Sequence, residues 1–241
     1  MNWNHRADRR LVTGKSGSGK TTFFLSILAR SRARWVFCFD PEREIAHKLA
    51  WPVCIDPPQL NAAVARRGPV CFDPSPLFPG NRPDGFAFFC RYVMEVCRVL
   101  NGPKLLAVDE MQNVTDPGPG GIPQAFSEII DEGRRHEIDC LFIAQTVNRV
   151  NDRVRAQLTE ITTFCHTDRL ALAWLEQDGF PAADVAGLPV PGGYITRNLL
   201  TGQTTRHGQG RARPAEPFRR PRLVASPPSR DPKTGRFLPA A

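Results

Sequence analysis

Apolar residues in this chain fall into short continuous blocks separated by longer stretches of helical periodicity. "RRLVTG" (9–14) predicts a short strand running into a glycine loop, and "TTFFLSILARS" a helix with Phe23, Phe24, Ile27 and Leu28 on its buried side. "ARWVFCFDP" is apolar throughout and closed by Asp-Pro, the pattern of a strand covered on both faces. The shorter runs "PVCID" and "GPVCFDP" repeat that ending. After a Pro-rich loop, "SPLFPGNRPDG", apolar positions nearly encircle "FAFFCRYVMEVCRVL", so this helix is expected to be largely buried and to stop at Asn101-Gly102-Pro103.

The alternation continues. "KLLAVDEMQN" reads as a strand, "TDPGPGGIP" as a loop, "QAFSEIIDEGRRH" as a helix and "IDCLFIAQT" as a strand. A short helix, "NDRVRAQL", a strand, "EITTFCHT", and a helix, "RLALAWLEQDG", follow. "GYITRNLLTGQTTR" predicts a hairpin turning at Thr201-Gly202. Strands alternating with helices specify an α/β fold with a mostly parallel, doubly wound sheet and helices on both faces.

Charge divides the chain in two. The net charge is +8, yet residues 206–241 hold nine Arg or Lys against Glu216 and Asp231, which leaves 23 basic against 22 acidic residues before them. The expected organisation is a nearly neutral globular domain over 1–205 and a basic Pro/Arg-rich tail over 206–241, too poor in core formers to fold. Only five of the 32 basic residues are lysine, so the tail reflects either Arg-biased composition or selection for phosphate contact. No apolar run approaches the ~20 residues of a membrane span, and no secretory signal is expected. The seven cysteines form no C-x-x-C pair and mostly lie in apolar segments, as reduced core residues would.

The chemistry begins between the first strand and the first helix. Gly14, Lys15, Ser16, Gly17, Ser18, Gly19, Lys20, Thr21 and Thr22 match G-x-x-x-x-G-K-[ST], the P-loop that binds nucleotide phosphates. Its backbone N–H groups wrap the phosphates, and the helix N-terminus adds partial positive charge. Lys20 is expected to reach the β- and γ-phosphates of ATP, and Thr21 to place its hydroxyl on Mg²⁺. "LLAVDE" ends a second buried strand with Asp109, suited to the Mg²⁺ shell, and Glu110, suited to deprotonating the attacking water. The Asp-Glu pair favours ATP hydrolysis over phosphate transfer to a hydroxyl. Gln145, where "IDCLFIAQT" leaves its apolar run, is placed to meet the γ-phosphate or the lytic water. Arg134 and Arg135 stand at a helix end. There they either complement the helix C-terminus or, at a subunit boundary, one serves as an arginine finger, worth roughly 10³–10⁵ in rate.

In this order "GKSGSGKT", "LLAVDE" and "GRRHEIDCLFIAQT" resemble the FtsK–HerA superfamily of ring-forming, DNA-pumping ATPases. The resemblance spans about residues 9–170, and "NRVNDRVRAQLTEITTF" also fits it. Small size and the missing membrane segment are most similar to genome-packaging ATPases of tectivirus-like, internal-membrane viruses. The resemblance implies a homo-oligomeric ring, typically a hexamer, with ATP between subunits and double-stranded DNA in the pore. It makes Arg134 or Arg135 the finger and Gln145 the sensor. It also implies a partner at the capsid vertex, and residence in the host cytoplasm during assembly and in the virion.

Two other readings fit part of the sequence. A filamentous-phage assembly ATPase of the zonula-occludens-toxin-like kind shares the core but usually carries a transmembrane helix. A non-hydrolytic nucleotide-binding module recruiting DNA through the tail would not need Lys20, Thr21, Asp109 and Glu110 together. No N-K-x-D motif supports a GTPase, and 115–135 is a poor nucleoside-kinase lid.

Overall fold

The structure, a computed structural model, describes residues 7–116 and 121–208. The tail expected over 206–241 therefore lies outside the described residues beyond Gly208, as do four residues of the "TDPGPGGIP" loop.

In chain order the elements are β1 (Arg9–Thr13), α1 (Lys20–Arg30), β2 (Trp35–Phe39), α2 (Glu44–Leu49), β3 (Val53–Cys54), α3 (Pro57–Ala65), β4 (Val70–Phe72) and α4 (Arg82–Cys97). Then come β5 (Lys104–Val108), α5 (Gln124–Glu132), β6 (Ile138–Ala144), α6 (Asp152–Ala156) and β7 (Glu160–Phe164). The last are α7 (Arg169–Gln177), α8 (Ala182–Ala186), β8 (Tyr194–Asn198) and β9 (Thr204–His207). The nine strands form one sheet in the order β3-β4-β2-β5-β6-β1-β7-β8-β9. All pairings from β3 to β7 are parallel, and β8 and β9 add an antiparallel hairpin at one edge.

The sheet is covered on both faces because its central strands are apolar at consecutive positions, so neither face tolerates water. On one face Val12, Val36, Cys38, Ala107, Leu141 and Ile143 pack against Phe24, Leu25 and Leu28 of α1 and Ile45, Ala46 and Leu49 of α2. On the other, Phe37, Phe39, Phe72, Leu106, Val108 and Phe142 meet α3, α4, α5 and the later helices. That second layer is rich in aromatics: Phe86 sits edge-on to Phe39 at 5.1 Å and to Phe126 at 5.0 Å. Such geometry lets the positive edge of one ring meet the negative face of the next.

The expected elements are present, with differences that local chemistry explains. In α1 the buried apolar positions are Phe24, Leu25 and Leu28, whereas Phe23 and Ile27 are partly buried against the same cluster. α4 starts four residues before the expected apolar run: Asn81 caps it by accepting from the Asp84 N–H, and Pro83 fits its first turn, where no donor is needed. "KLLAVDEMQN" stays a strand only to Val108, and Met111–Asn113 turns away as a 3-10 helix. α2, α3 and α8 lie in stretches to which the sequence pattern assigns no element. All seven cysteines are buried with free thiols, and burial pushes Cys97 and Cys140 up to about 12. No described helix is long and apolar enough to cross a membrane.

Candidate active site

Parallel strands that share a direction bring their C-terminal ends, and the loops that follow, to one edge of the sheet. The glycine loop follows β1, Asp109-Glu110 follows β5, and Gln145 follows β6, with β6 lying between β5 and β1. Three segments far apart in sequence thus meet at one edge.

The loop is built for close approach. A Cβ on Gly14 would stand 2.6 Å from Cβ of Phe164 and 2.7 Å from Oγ of Ser18, so only glycine lets the chain turn there. Gly19 has φ 103, a left-handed conformation that starts α1 with its N–H groups turned outward. The loop is tied to the next strand and beyond: Lys15 N–H donates to Cys165 O at 3.0 Å, and Gly192 N–H donates to Ser18 O at 3.0 Å. Lys15, Ser16 and Gly17 are exposed, as is Thr22, while Thr21 is half-buried. Lys20 is only 5 % exposed. Burial pushes its ammonium down, and the carboxylates of Glu110, Asp109 and Glu44 pull it back up.

Opposite Lys20 the carboxylates are crowded. Asp109 is 6 % exposed, and burial, together with the charges of Asp40, Glu110 and Glu44, pushes it up to about 7. Glu110 has φ 52, a left-handed conformation costly for a side-chain-bearing residue, at roughly 1–3 kcal/mol. That kink sends its carboxylate sideways into a polar cluster. Gln145 Nε2 donates to Glu110 Oε1 at 2.8 Å, and Gln112 and Asn113 donate to Oε2. Gln145 N–H in turn donates to Gln112 Oε1 at 3.2 Å. The acid and the amide expected to share a water already share a hydrogen bond.

Two residues not singled out from the sequence belong here. Asp40 follows β2, one position beyond the Phe39↔Val108 pairing, and so stands beside Asp109, which follows the adjacent strand. It is 1 % exposed, accepts from Ala46 N–H at 2.8 Å, and its Oδ1 has no partner. His166, just past β7, is buried and shares a 3.0 Å hydrogen bond between its Nε2 and Thr13 Oγ1. Burial and nearby Lys20 push its imidazole down to about 4. The signal for Asp40 was visible, since "FCFDP" ends as "LLAVDE" does. His166 carried none, because its role depends on β7 lying beside β1.

Arg134 and Arg135 are not brought to this edge. They occupy the 3-10 turn Gly133–His136 that precedes β6, so the length of β6, roughly 20 Å, separates them from Gln145. Both are exposed; Arg135 lies 3.8 Å from Glu132, and Lys104 Nζ donates to His136 O at 2.8 Å, fixing the turn.

The residues present fit a magnesium-bound triphosphate. Ser18 Oγ and Asp40 Oδ1 are buried without partners, and Asp40, Asp109 and Glu110 crowd together beside Lys20, an excess of negative charge that a divalent cation offsets. Among the described residues no group of three His, Cys, Asp or Glu forms an all-protein metal cage. Mg²⁺ at a triphosphate needs only one or two carboxylates, with water and phosphate completing its shell.

Comparison with solved structures decides the fold family. The genome-packaging NTPase B204 of Sulfolobus turreted icosahedral virus 2, in complex with ATP-γS, matches with a TM-score of 0.65 over 86% of this chain and 98% of its own, at 16% identity. VirB4 of Thermoanaerobacter pseudethanolicus matches with a TM-score of 0.61 over 86% of this chain and 91% of its own, at 15% identity. The chain shares the mostly parallel α/β fold of these proteins. EssC of Geobacillus thermodenitrificans carries it too, with a TM-score of 0.54 at 11% identity, although the match spans only 39% of that chain. No family model and no curated protein matches the sequence. In this chain Lys20, Asp109 and Gln145 stand together at the edge of the sheet where the C-terminal ends of the parallel strands gather.

Proposed function

We propose that this chain hydrolyses ATP and uses the energy to move double-stranded DNA, as the packaging motor that fills a viral capsid. The observation that carries hydrolysis is the Gln145–Glu110 hydrogen bond at 2.8 Å beside buried Lys20. A nucleotide-binding module needs the cradle but has no use for a strained, hydrogen-bonded carboxylate next to it.

In this reading Lys20 and the loop N–H groups hold the triphosphate, with the γ-phosphate toward Glu110 and Gln145. Thr21 and Asp109 would hold Mg²⁺, which supplies charge neutralisation at the phosphate oxygens. Glu110 takes the proton of the attacking water, and Gln145 orients that water between carboxylate and phosphate. Arg134 or Arg135, remote from the protein's own cradle, acts on the site of a neighbouring subunit in a ring, so that each site needs two chains.

Support for packaging rests on likeness: B204 is described as a genome-packaging NTPase, and the match covers nearly all of it. Translocation is tested by displacement of a triplex-forming oligonucleotide from linear duplex DNA. ATP-dependent displacement that is lost in Glu110→Gln is expected. ATP turnover without displacement would leave an ATPase that does not travel along DNA.

A further inference from the structure

The nucleoside end of the substrate also has a place in this fold. Asp109, Glu110 and Gln145 all lie on one flank of β1, following β5 and β6. A triphosphate whose terminal phosphate faces them leaves its ribose and base on the other flank, over β7 and β8. Because β8 runs antiparallel to β7 and β9 antiparallel to β8, the start of β8 and the end of β9 both reach the nucleotide edge.

An aromatic group occupies that position. Tyr194 pairs with His207 across the hairpin, and their rings stack with centroids 4.4 Å apart and planes 19° from parallel. Phe23, one turn into α1, lies 4.8 Å from Tyr194, and buried Phe164 lies 5.3 Å from Tyr194 and 5.8 Å from Phe23. Phe23, Tyr194 and His207 are partly exposed. Phe164 also supports the cradle, since a Cβ at Gly14 would stand 2.6 Å from its Cβ and one at Gly19 would stand 3.5 Å from its ring. The segment before Tyr194 is bound to the loop through the Gly192 N–H to Ser18 O bond. Phosphate cradle and aromatic group are therefore joined through buried Phe164 and the Gly192–Ser18 hydrogen bond.

We infer that Phe23, Tyr194 and His207 form the shelf on which the purine base of the nucleotide stacks. The inference rests on the nucleotide-hydrolysing reading and adds the residues that recognise the base. Partly exposed rings beside a phosphate site are a natural seat for a planar heterocycle, because stacking buries apolar ring surface and needs no hydrogen-bond pattern. Base recognition here depends on the C-terminal hairpin, well outside the phosphate-binding motifs.

The test compares ADP, ATP and inorganic tripolyphosphate by calorimetry on the full chain and on Tyr194→Leu, Tyr194→Phe and His207→Ala. Tyr194→Leu keeps apolar volume but loses the aromatic face. It is expected to weaken ADP and ATP by about 5- to 150-fold, the range of one base–aromatic stack, and to leave tripolyphosphate within about twofold. Tyr194→Phe should bind as the parent does, and His207→Ala should weaken nucleotide in the same selective way. Unchanged ATP affinity in Tyr194→Leu overturns the shelf. So does an equal loss for tripolyphosphate, which would show Tyr194 merely supporting the loop. A parent protein that binds tripolyphosphate as tightly as ATP also overturns it while leaving the cradle intact. A parent that binds neither overturns the nucleotide reading itself.

Discussion

Gln145 donates from Nε2 to Oε1 of Glu110 at 2.8 Å, joining the ends of two adjacent strands at the edge that carries the glycine loop. The bond holds the carboxylate in place against its left-handed backbone, so the two side chains work as a unit. Glu110→Gln should bind ATP within a few fold of the parent yet slow hydrolysis by about 10²–10⁴-fold, the usual worth of a general base. Gln145→Ala should slow it less. The double variant should lose little beyond Glu110→Gln alone, because groups acting on one water are not additive. Full additivity in single-turnover rates would show that the two residues act separately.

Asp109 titrates in the direction opposite to an ion-paired carboxylate. Its folded value, about 7, lies above the ordinary carboxylate range. Its neutral form therefore favours the fold, and that contribution is complete below about pH 4 and lost as pH rises through 7. Between pH 5 and pH 8 the nucleotide-free protein should lose about 3 kcal/mol from this group. Asp109→Asn should remove that loss, melting higher than the parent at pH 8 and by much less at pH 5, while abolishing Mg²⁺-dependent activity. A melting difference that ignores pH would contradict the crowding of Asp109 by Asp40, Glu110 and Glu44.

His166 carries the reverse dependence. Its folded value, about 4, is below that of a free imidazole, so the stability it contributes is present above about pH 6.5 and lost as pH falls toward 4. Replacement by Gln, which keeps a partner for Thr13 Oγ1 but cannot ionise, should make the protein more resistant to unfolding at pH 4–5. Equal acid melting of parent and His166→Gln would remove His166 from that account.

Arg134 and Arg135 stand at the wrong edge to serve their own cradle. Arg134→Ala or Arg135→Ala should lower hydrolysis by about 10³-fold with nucleotide affinity nearly unchanged. Mixing the impaired variant with Lys20→Ala should restore part of the activity, since each chain supplies what the other lacks. Mixed oligomers that form without any rescue would refute a shared site.

The sequence made the cradle and the Asp109-Glu110 strand end legible, because both are local patterns: glycines at fixed offsets, and carboxylates closing an apolar run. Much of the sheet was equally plain. Three helices were not. α3 carried a readable start, since Asp56 caps it by accepting from Gln59 N–H and Pro57 opens its first turn, but its weak apolar stripe concealed it. α2 and α8 are too short for periodicity to show. His166 and the Tyr194–His207 stack were hidden for another reason. Their importance comes from strand order, which places β7 beside β1 and folds β8 and β9 back to the phosphate loop.

Beyond β9 the basic residues remain to be assigned by experiment. Because β9 ends at His207, a shortened chain should end after Gly208 to keep that strand. Such a chain is expected to retain basal hydrolysis and to bind duplex DNA less tightly at low salt, with a shallower dependence on salt concentration. Unchanged affinity and unchanged salt slope would rule out a DNA-binding arm.

Steady-state ATP turnover, measured with and without linear duplex DNA in the parent and in Glu110→Gln, tests the central claim most directly. The account predicts Mg²⁺-dependent turnover that duplex DNA stimulates in the parent and that falls by about 10²-fold or more in the variant while ATP still binds. A parent that binds ATP but turns it over no faster than Glu110→Gln, with DNA present, would contradict it.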